Sequence, residues 1–334
     1  MNEWIRKLPA GGRALPLLAF PAAALTGASV YGLTHEARLQ AEGIAAVAGR
    51  TDAAAAVTVM DLSVEAEAFG CRVNAPEREV PTVIGALLED EEDARALRVP
   101  EVGAGRTGLY PEAVRLARER ITDRPLLAGI IGPFSLAGRL MGVSEAMMNC
   151  LIEPDVVRIT LEKATEFLKA YARAFREAGA DGIIIAEPLA GLLSPALEAE
   201  FSAPYLRQLI AAVRTEGFAV ILHDCGPNTP LFCDSLRSLG ADAYHFGDAV
   251  ELPVMLERMG PDAIVLGNIS PARAFVGGTP ESMREAVRCL YEKAGRYPGF
   301  VLSSGCDLPP RSSWANIDAF FDTAREFSGA RELL

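Results

Sequence analysis

Phe218–Cys225, FAVILHDC, is a run of five apolar residues that ends on a histidine, an aspartate and a cysteine. Such a run is too short for a core helix and lacks the polar alternation of a half-exposed strand. It reads as a strand buried on both faces, as in a parallel sheet covered by helices. The same design recurs along the chain as LPLLAF (15–20), AVTVMD (56–61), LLAGIIGP (126–133), DGIIIAEP (181–188), AYHFGD (243–248), AIVLGNISP (263–271) and GFVLSSGC (299–306). Each run stops at polar, Gly or Pro residues.

Helical periodicity fills the gaps. Val157, Leu161, Ala164, Leu168, Tyr171 and Phe175 step by four and three and share one face, and Gly179 supplies a stop. Thr279 followed by Pro280 opens a second helix that turns Met283, Val287 and Leu290 inward and ends near Gly295. Eight apolar strands alternating with amphipathic helices predict an α/β fold, specifically a closed (β/α)8 TIM barrel. An open doubly wound sheet is the competitor, but no GxGxxG follows the first strand and no GxxxxGK loop is present.

The chain of 334 residues reads as a single barrel domain over 1–334, with residues 1–14 as an N-terminal extension. A formal charge of -12, with 32 dispersed Lys and Arg, argues against a nucleic-acid partner. No stretch reaches the ~20 apolar residues of a membrane span. The segment LPLLAFPAAALTGAS after Arg6, Lys7 and Arg13 imitates a signal peptide, but two prolines and the missing cleavage motif favour a first strand and a cytoplasmic protein. The six cysteines are far apart and are expected to be reduced.

In a barrel, residues just past the C-terminal strand ends converge on one mouth. Here they are Asp61, Glu187, His223, Cys225, Asp248, Asn268 and Cys306. His223 and Cys225 are two apart in an extended segment and leave on the same side, while Cys306 leaves the last strand. One His and two thiolates suit Zn²⁺ with a fourth position open, the pattern of a catalytic site. A buried thiol pair beside a hydrogen-bonded histidine explains the same residues without a metal.

HDC followed much later by SSGC resembles the zinc site of the methylcobamide:coenzyme M methyltransferases, a branch of the uroporphyrinogen decarboxylase superfamily. MDLSVEAEAFGC (60–71), GPFSLAG (132–138), AEPLAGLLSP (186–195) and GNISP (267–271) are similar to that family's segments in the same order. The resemblance implies a (β/α)8 barrel, Zn²⁺ held by His223, Cys225 and Cys306, a methylcobamide carried by a separate corrinoid protein, and a small thiol substrate. It further implies Asp248 as a displaceable fourth ligand; His245 could take that place, but it is expected instead as a core histidine or a partner behind the ligands. Glu187 is expected either to orient a ligand or the thiol or to be a buried hydrogen-bonded acid, Asp61 to contact substrate or anchor a loop, and Asn268 to fix a loop near the cofactor. Cys71, Cys150, Cys233 and Cys289 are expected in the core, and the methionines of RLMGVSEAMMN in packing.

Three alternatives stay open on the sequence. The same machinery run in reverse is a demethylase that loads a corrinoid protein. A metal-free porphyrinogen decarboxylase fits Asp61, which matches the position of that enzyme's essential aspartate. However, Ala14–Glu36 contains no arginine or lysine for a polycarboxylate substrate. A corrinoid- or tetrapyrrole-binding protein without turnover is the third.

Overall fold

The structure is a computed structural model that describes residues 2–331. The strands in chain order are β1 (Ala56–Val57), β2 (Arg72–Asn74), β3 (Thr82–Ile84), β4 (Leu126–Ile131), β5 (Gly182–Ala186), β6 (Ala219–Asp224), β7 (Ala243–Phe246), β8 (Val265–Ile269) and β9 (Phe300–Ser304). β2 and β3 form a small antiparallel pair. The other seven make one parallel sheet in the order β1-β4-β5-β6-β7-β8-β9, which curls so that helices cover its convex face.

Alternation along each strand sorts the core into two. Ile183, Ile185, Val220 and Leu222 face outward and pack under the helices. Ile184, Ile221, Leu266 and Val301 face the concave side and pack on one another. Each such side chain contributes roughly 1.5–3 kcal/mol by leaving water. The parity then carries one step further, because His223 follows Ile221, His245 follows Ala243, and Ser303 follows Val301. A polar layer therefore lies on top of the apolar one, at the C-terminal ends of the strands.

Both helices argued from periodicity are present. The first spans Pro154–Glu177 with Val157, Leu161, Leu168 and Phe175 buried, and Gly179 follows in the left-handed region at φ 99°. The second spans Pro280–Ala294 and is capped by Thr279, whose side chain accepts from the Ser282 N–H.

The first expected strand is not one. Among the described residues LPLLAF forms no ladder, because Pro16 lacks the N–H that a ladder needs at that point. The segment nevertheless touches both edges of the sheet. Leu15 N–H donates to the Leu302 carbonyl of β9 at 3.0 Å, and Ala54 N–H donates to the Ala14 carbonyl at 2.8 Å just before β1. The extension is also more structured than expected. Glu3–Lys7 is a short helix capped by Asn2, and it plugs the lower end of the sheet with Ile5 and Leu8 against Leu15 and Leu17. Among the described residues no helix is long and apolar enough to cross a membrane.

Candidate metal centre

Where β6 runs out, His223 and Cys225 meet Cys306 from the turn after β9. Their ligand atoms all lie within 4.8 Å of one another. His223 is buried and the two cysteines are half-buried. The Cys306 Sγ lies 3.5 Å from His223 Nε2. A tetrahedral Zn²⁺, with Zn–S of about 2.3 Å and Zn–N of about 2.0–2.1 Å, places such atoms roughly 3.6 Å apart. The donor set and its spacing therefore fit a metal. Cys306 also donates to the Cys225 sulfur, which lowers the Cys225 pKa; that bond and burial push the Cys306 thiol up to about 12. Gly247 makes the approach possible, since a Cβ there would fall 2.4 Å from the Cys225 Cβ.

A chain of buried hydrogen bonds fixes which nitrogen of His223 is free. The Leu15 carbonyl can only accept, so the Ser303 hydroxyl at 2.6 Å donates to it. The Ser303 oxygen is then left to accept from His245 Nε2–H at 2.8 Å. Burial first, and His223 second, hold His245 well below the usual histidine pKa, so it is neutral and its Nδ1 carries a lone pair. His223 Nδ1–H donates to that lone pair at 2.7 Å. With Nδ1 holding the proton, Nε2, which faces the thiols, is the nitrogen left to bind a metal. His245 is thus a partner behind His223 and not a member of the ligand cluster.

The carboxylates expected at the mouth are committed elsewhere. Glu187 is buried and accepts from Phe134 N–H at 2.9 Å and from Ser135 N–H at 2.6 Å, as well as from the Ser135 hydroxyl. It caps the helix Pro133–Met141, and desolvation pushes its pKa up to about 7. Asp61 is buried too. One of its oxygens takes Ser63 N–H and Oγ–H at 3.0 and 2.6 Å, and the other takes Arg106 Nη1 at 2.5 Å and Tyr110 Oη at 3.2 Å. Arg106 and Tyr110 carried no signal in the sequence, because only tertiary contact pairs them with Asp61.

Asp248 does not join the cluster, and its carboxylate lies 3.6 Å from Arg273. Asn268 donates its amide to the Gly247 and Val250 carbonyls, both at 2.8 Å, and so fixes the loop after β7. Of the remaining cysteines, Cys71, Cys150 and Cys233 are buried as expected, whereas Cys289 is half-buried. Met141 is core, but Met148 is 51% exposed.

The cluster forms the polar end of a cavity of ≈ 250 Å³, whose other walls include Phe20, Met60, Leu62, Val80 and Leu308. Neither Asp61 nor Glu187 lines it. The site can bind a thiophilic cation at its base and a small, largely apolar molecule above.

Residues 12–327 match the family described as uroporphyrinogen decarboxylase (URO-D). Among curated proteins, the methylcobamide:CoM methyltransferase MtbA of Methanosarcina acetivorans is 29% identical over 271 residues, covering 80% of this chain and 78% of its own. Uroporphyrinogen decarboxylase of Neisseria meningitidis is 28% identical over 288 residues, covering 84% and 80%. Among solved structures, a methyltransferase from Methanosarcina mazei superposes with a TM-score of 0.85 at 25% identity, covering 96% of this chain and 98% of that one. With nearly its whole length matched, this chain belongs to the uroporphyrinogen decarboxylase (URO-D) family.

Proposed function

We propose that the protein is a zinc-dependent corrinoid methyltransferase that moves a methyl group between a methylcobamide, carried by a corrinoid protein, and a small thiol in the cytoplasm. The observation that carries this reading is the His223, Cys225, Cys306 cluster at the base of a small apolar cavity. The names of the methyltransferase relatives support it. We also read Leu15–Phe20 as the eighth position of a (β/α)8 barrel, supported by the hydrogen bonds that Ala14 and Leu15 make toward the two sheet edges.

Identity alone does not separate the methyltransferases from the decarboxylases, since both lie near the same value. The cavity favours the methyltransferase: at ≈ 250 Å³ it is below the ~300 Å³ at which drug-sized sites begin, and its lining holds no arginine or lysine for a polycarboxylate tetrapyrrole. By the same argument a corrin ring stays at the mouth and only its methyl group points inward.

In the reaction the thiol loses its proton, its sulfur attacks the methyl carbon, and the carbon–cobalt bond breaks with both electrons going to cobalt, so Co(III) becomes Co(I). A free thiol, with a pKa of roughly 8.5, is mostly protonated at neutral pH. When bound, Zn²⁺ would supply the Lewis acidity that keeps the substrate sulfur deprotonated. His223 contributes a neutral nitrogen whose orientation His245 and Ser303 hold. Cys225 and Cys306 contribute negative charge that keeps the site electron-rich. Phe20, Met60 and Leu308 exclude water from the attacking sulfur.

The test uses purified protein, free methylcobalamin and a small thiol under anaerobic conditions. The bond that breaks belongs to the cofactor, so free methylcobalamin should serve as a slow donor. Loss of the methylcobalamin spectrum together with the methyl thioether in the mass spectrum supports the reading. Cys306→Ala should abolish both, and no thioether from the wild type across a thiol panel would refute it.

A further inference from the structure

Three features of the chain take no part in the metal centre. Pro271–Val276 after β8 is wound as a π-helix, with the Gly277 N–H donating to the Ala272 carbonyl at 3.0 Å. Such turns are rare and occur often at functional sites. Cys289 is half-buried although its helix packs on the sheet. Asp248 faces Arg273 and not the ligand cluster. All three border one groove of ≈ 410 Å³ between the helices Leu252–Met259 and Pro280–Ala294, on the convex side of the sheet. It is larger than the metal-centre cavity, shares no lining residue with it, and falls within the ~300–1,000 Å³ of small-molecule sites.

The lining dictates the occupant. Val250, Leu252, Ile269, Ala274 and Leu290 form an apolar floor. The wall from Ser282 to Lys293 is about 16 Å of one helix at ~1.5 Å per residue, so the groove is elongated. Its charges sit toward opposite ends. Glu251 immediately precedes one helix, and Lys293 lies in the last turn of the other. Arg273, 3.4 Å from Ser270 Oγ, answers Asp248 at 3.6 Å. The Glu251 carboxylate and the Lys293 ammonium have no hydrogen bond or ion pair among the described residues. An apolar body with a cation at one end and an anion at the other complements such a lining.

The loop that borders the groove also backs the metal centre. Asp248 and Val250 line the groove, and Asn268 holds that loop through the Gly247 and Val250 carbonyls. On its other side Gly247 packs on Cys225, and a Cβ on Gly305, the residue before Cys306, would fall 2.8 Å from the Asp248 nitrogen. The loop is therefore wedged against the turns that carry both cysteines, and a ligand pressing on it from the groove is felt at the sulfurs.

We infer that this groove is an effector site for a short apolar peptide or peptide-like zwitterion, whose ammonium meets Glu251 and whose carboxylate meets Lys293. Its occupancy tightens the metal centre by holding the loop 247–250 where the three ligands converge. The coupling rests on the metal reading given above; binding in the groove does not.

The test begins with metal-free protein, where the metal reading plays no part. Leucyl-leucine, N-acetyl-leucyl-leucine and leucyl-leucinamide share one body and differ in which end is charged, and each is titrated by calorimetry. Iodoacetamide alkylation of Cys289 is timed by peptide mass spectrometry in the presence of each. Leucyl-leucine should bind, should slow alkylation of Cys289 at least about fivefold, and should bind at least about tenfold more tightly than either analogue, as fits two charge-assisted contacts. Glu251→Gln should erase the preference over the acetylated analogue and Lys293→Gln that over the amide, with the thermal transition of each variant unchanged. Zn²⁺ affinity is then measured by chelator competition with and without leucyl-leucine. The peptide should raise it at least about fivefold in wild type and not in Lys293→Gln at the same concentration, and by linkage Zn²⁺ should tighten leucyl-leucine binding by the same factor. Equal binding of the three peptides, or no binding with unchanged alkylation of Cys289, overturns the site. Binding that leaves Zn²⁺ affinity within about twofold overturns the effector role. Charge-dependent binding by a protein that takes up no Zn²⁺ supports the groove, overturns the coupling and removes the metal reading itself.

Discussion

Replacing Ser303 by alanine tests whether a backbone carbonyl some distance from the metal centre sets its affinity. The Ser303 hydroxyl accepts from His245 Nε2–H at 2.8 Å and donates to the Leu15 carbonyl at 2.6 Å. Alanine deletes both bonds and leaves a buried N–H without an acceptor, at a cost of about 1–3 kcal/mol of folding stability. His245 can escape that cost only by moving its proton to Nδ1, but that nitrogen lies 2.7 Å from His223 Nδ1. Two N–H groups would then face each other, so His223 must shift its own proton to Nε2, the atom that faces Cys306. Either outcome weakens the metal. Loss of such an outer partner typically lowers affinity by about 10–100-fold, which is roughly 1.4–2.7 kcal/mol. The assay is competition for Zn²⁺ with a chromogenic chelator on wild type, Ser303→Ala and Ser303→Thr, with urea unfolding of each metal-free protein alongside. Ser303→Thr keeps the hydroxyl and should recover most of the affinity. A Ser303→Ala protein that loses stability yet binds Zn²⁺ within twofold of wild type would show the chain of hydrogen bonds to be packing only.

Arg106→Ala leaves Asp61 buried without its cation and should destabilise the fold by about 3–5 kcal/mol in urea unfolding, whereas Asp61→Asn should cost less because Arg106 keeps Glu67 at 2.6 Å. If Asp61→Asn were instead well folded but inert with methylcobalamin and thiol, Asp61 would belong to the chemistry. Glu65 is fully buried, and desolvation raises its pKa to about 7. A raised carboxyl pKa means that the native state holds the proton more tightly, so stability is greatest below the unfolded value of about 4.3 and falls as pH rises through 7. Wild type should lose about 2–3 kcal/mol from this group between pH 5 and pH 8, and Glu65→Gln should not; parallel pH profiles of the two proteins would refute the assignment. Thiol binding to the metal-loaded protein should release about one proton, read by calorimetry in two buffers of different ionisation enthalpy, and Cys225→Ala should release none.

Much of this architecture was legible because parallel strands buried on both faces read as unbroken apolar runs. Seven of the eight runs are strands, and the helix stops at Gly179 and Gly295 lie where the periodicity places them. The remaining run, LPLLAF, reads as a regular strand because its apolar content outweighs Pro16, which removes a ladder N–H. His223, Cys225 and Cys306 were legible because strand parity and the barrel-mouth rule both act on local sequence. The role of His245 behind His223 is legible too, and the same parity, taken from Val301 to Ser303, places the Ser303 hydroxyl in that layer. For Glu187 and Asp61 the sequence leaves a mouth role and a buried structural role both open, and the structure turns Glu187 to the Phe134 and Ser135 amides and Asp61 to Arg106. Which way a buried carboxylate faces depends on donors from distant segments.

Metal content tests the central claim most directly. Wild type and Cys289→Ala, purified without chelator, should carry about one zinc per chain by elemental analysis, and Cys225→Ala and Cys306→Ala, folded by circular dichroism, should carry close to none. A folded Cys225→Ala protein that retains the zinc stoichiometry of the wild type, or a metal-free wild type that still methylates a thiol, would contradict it.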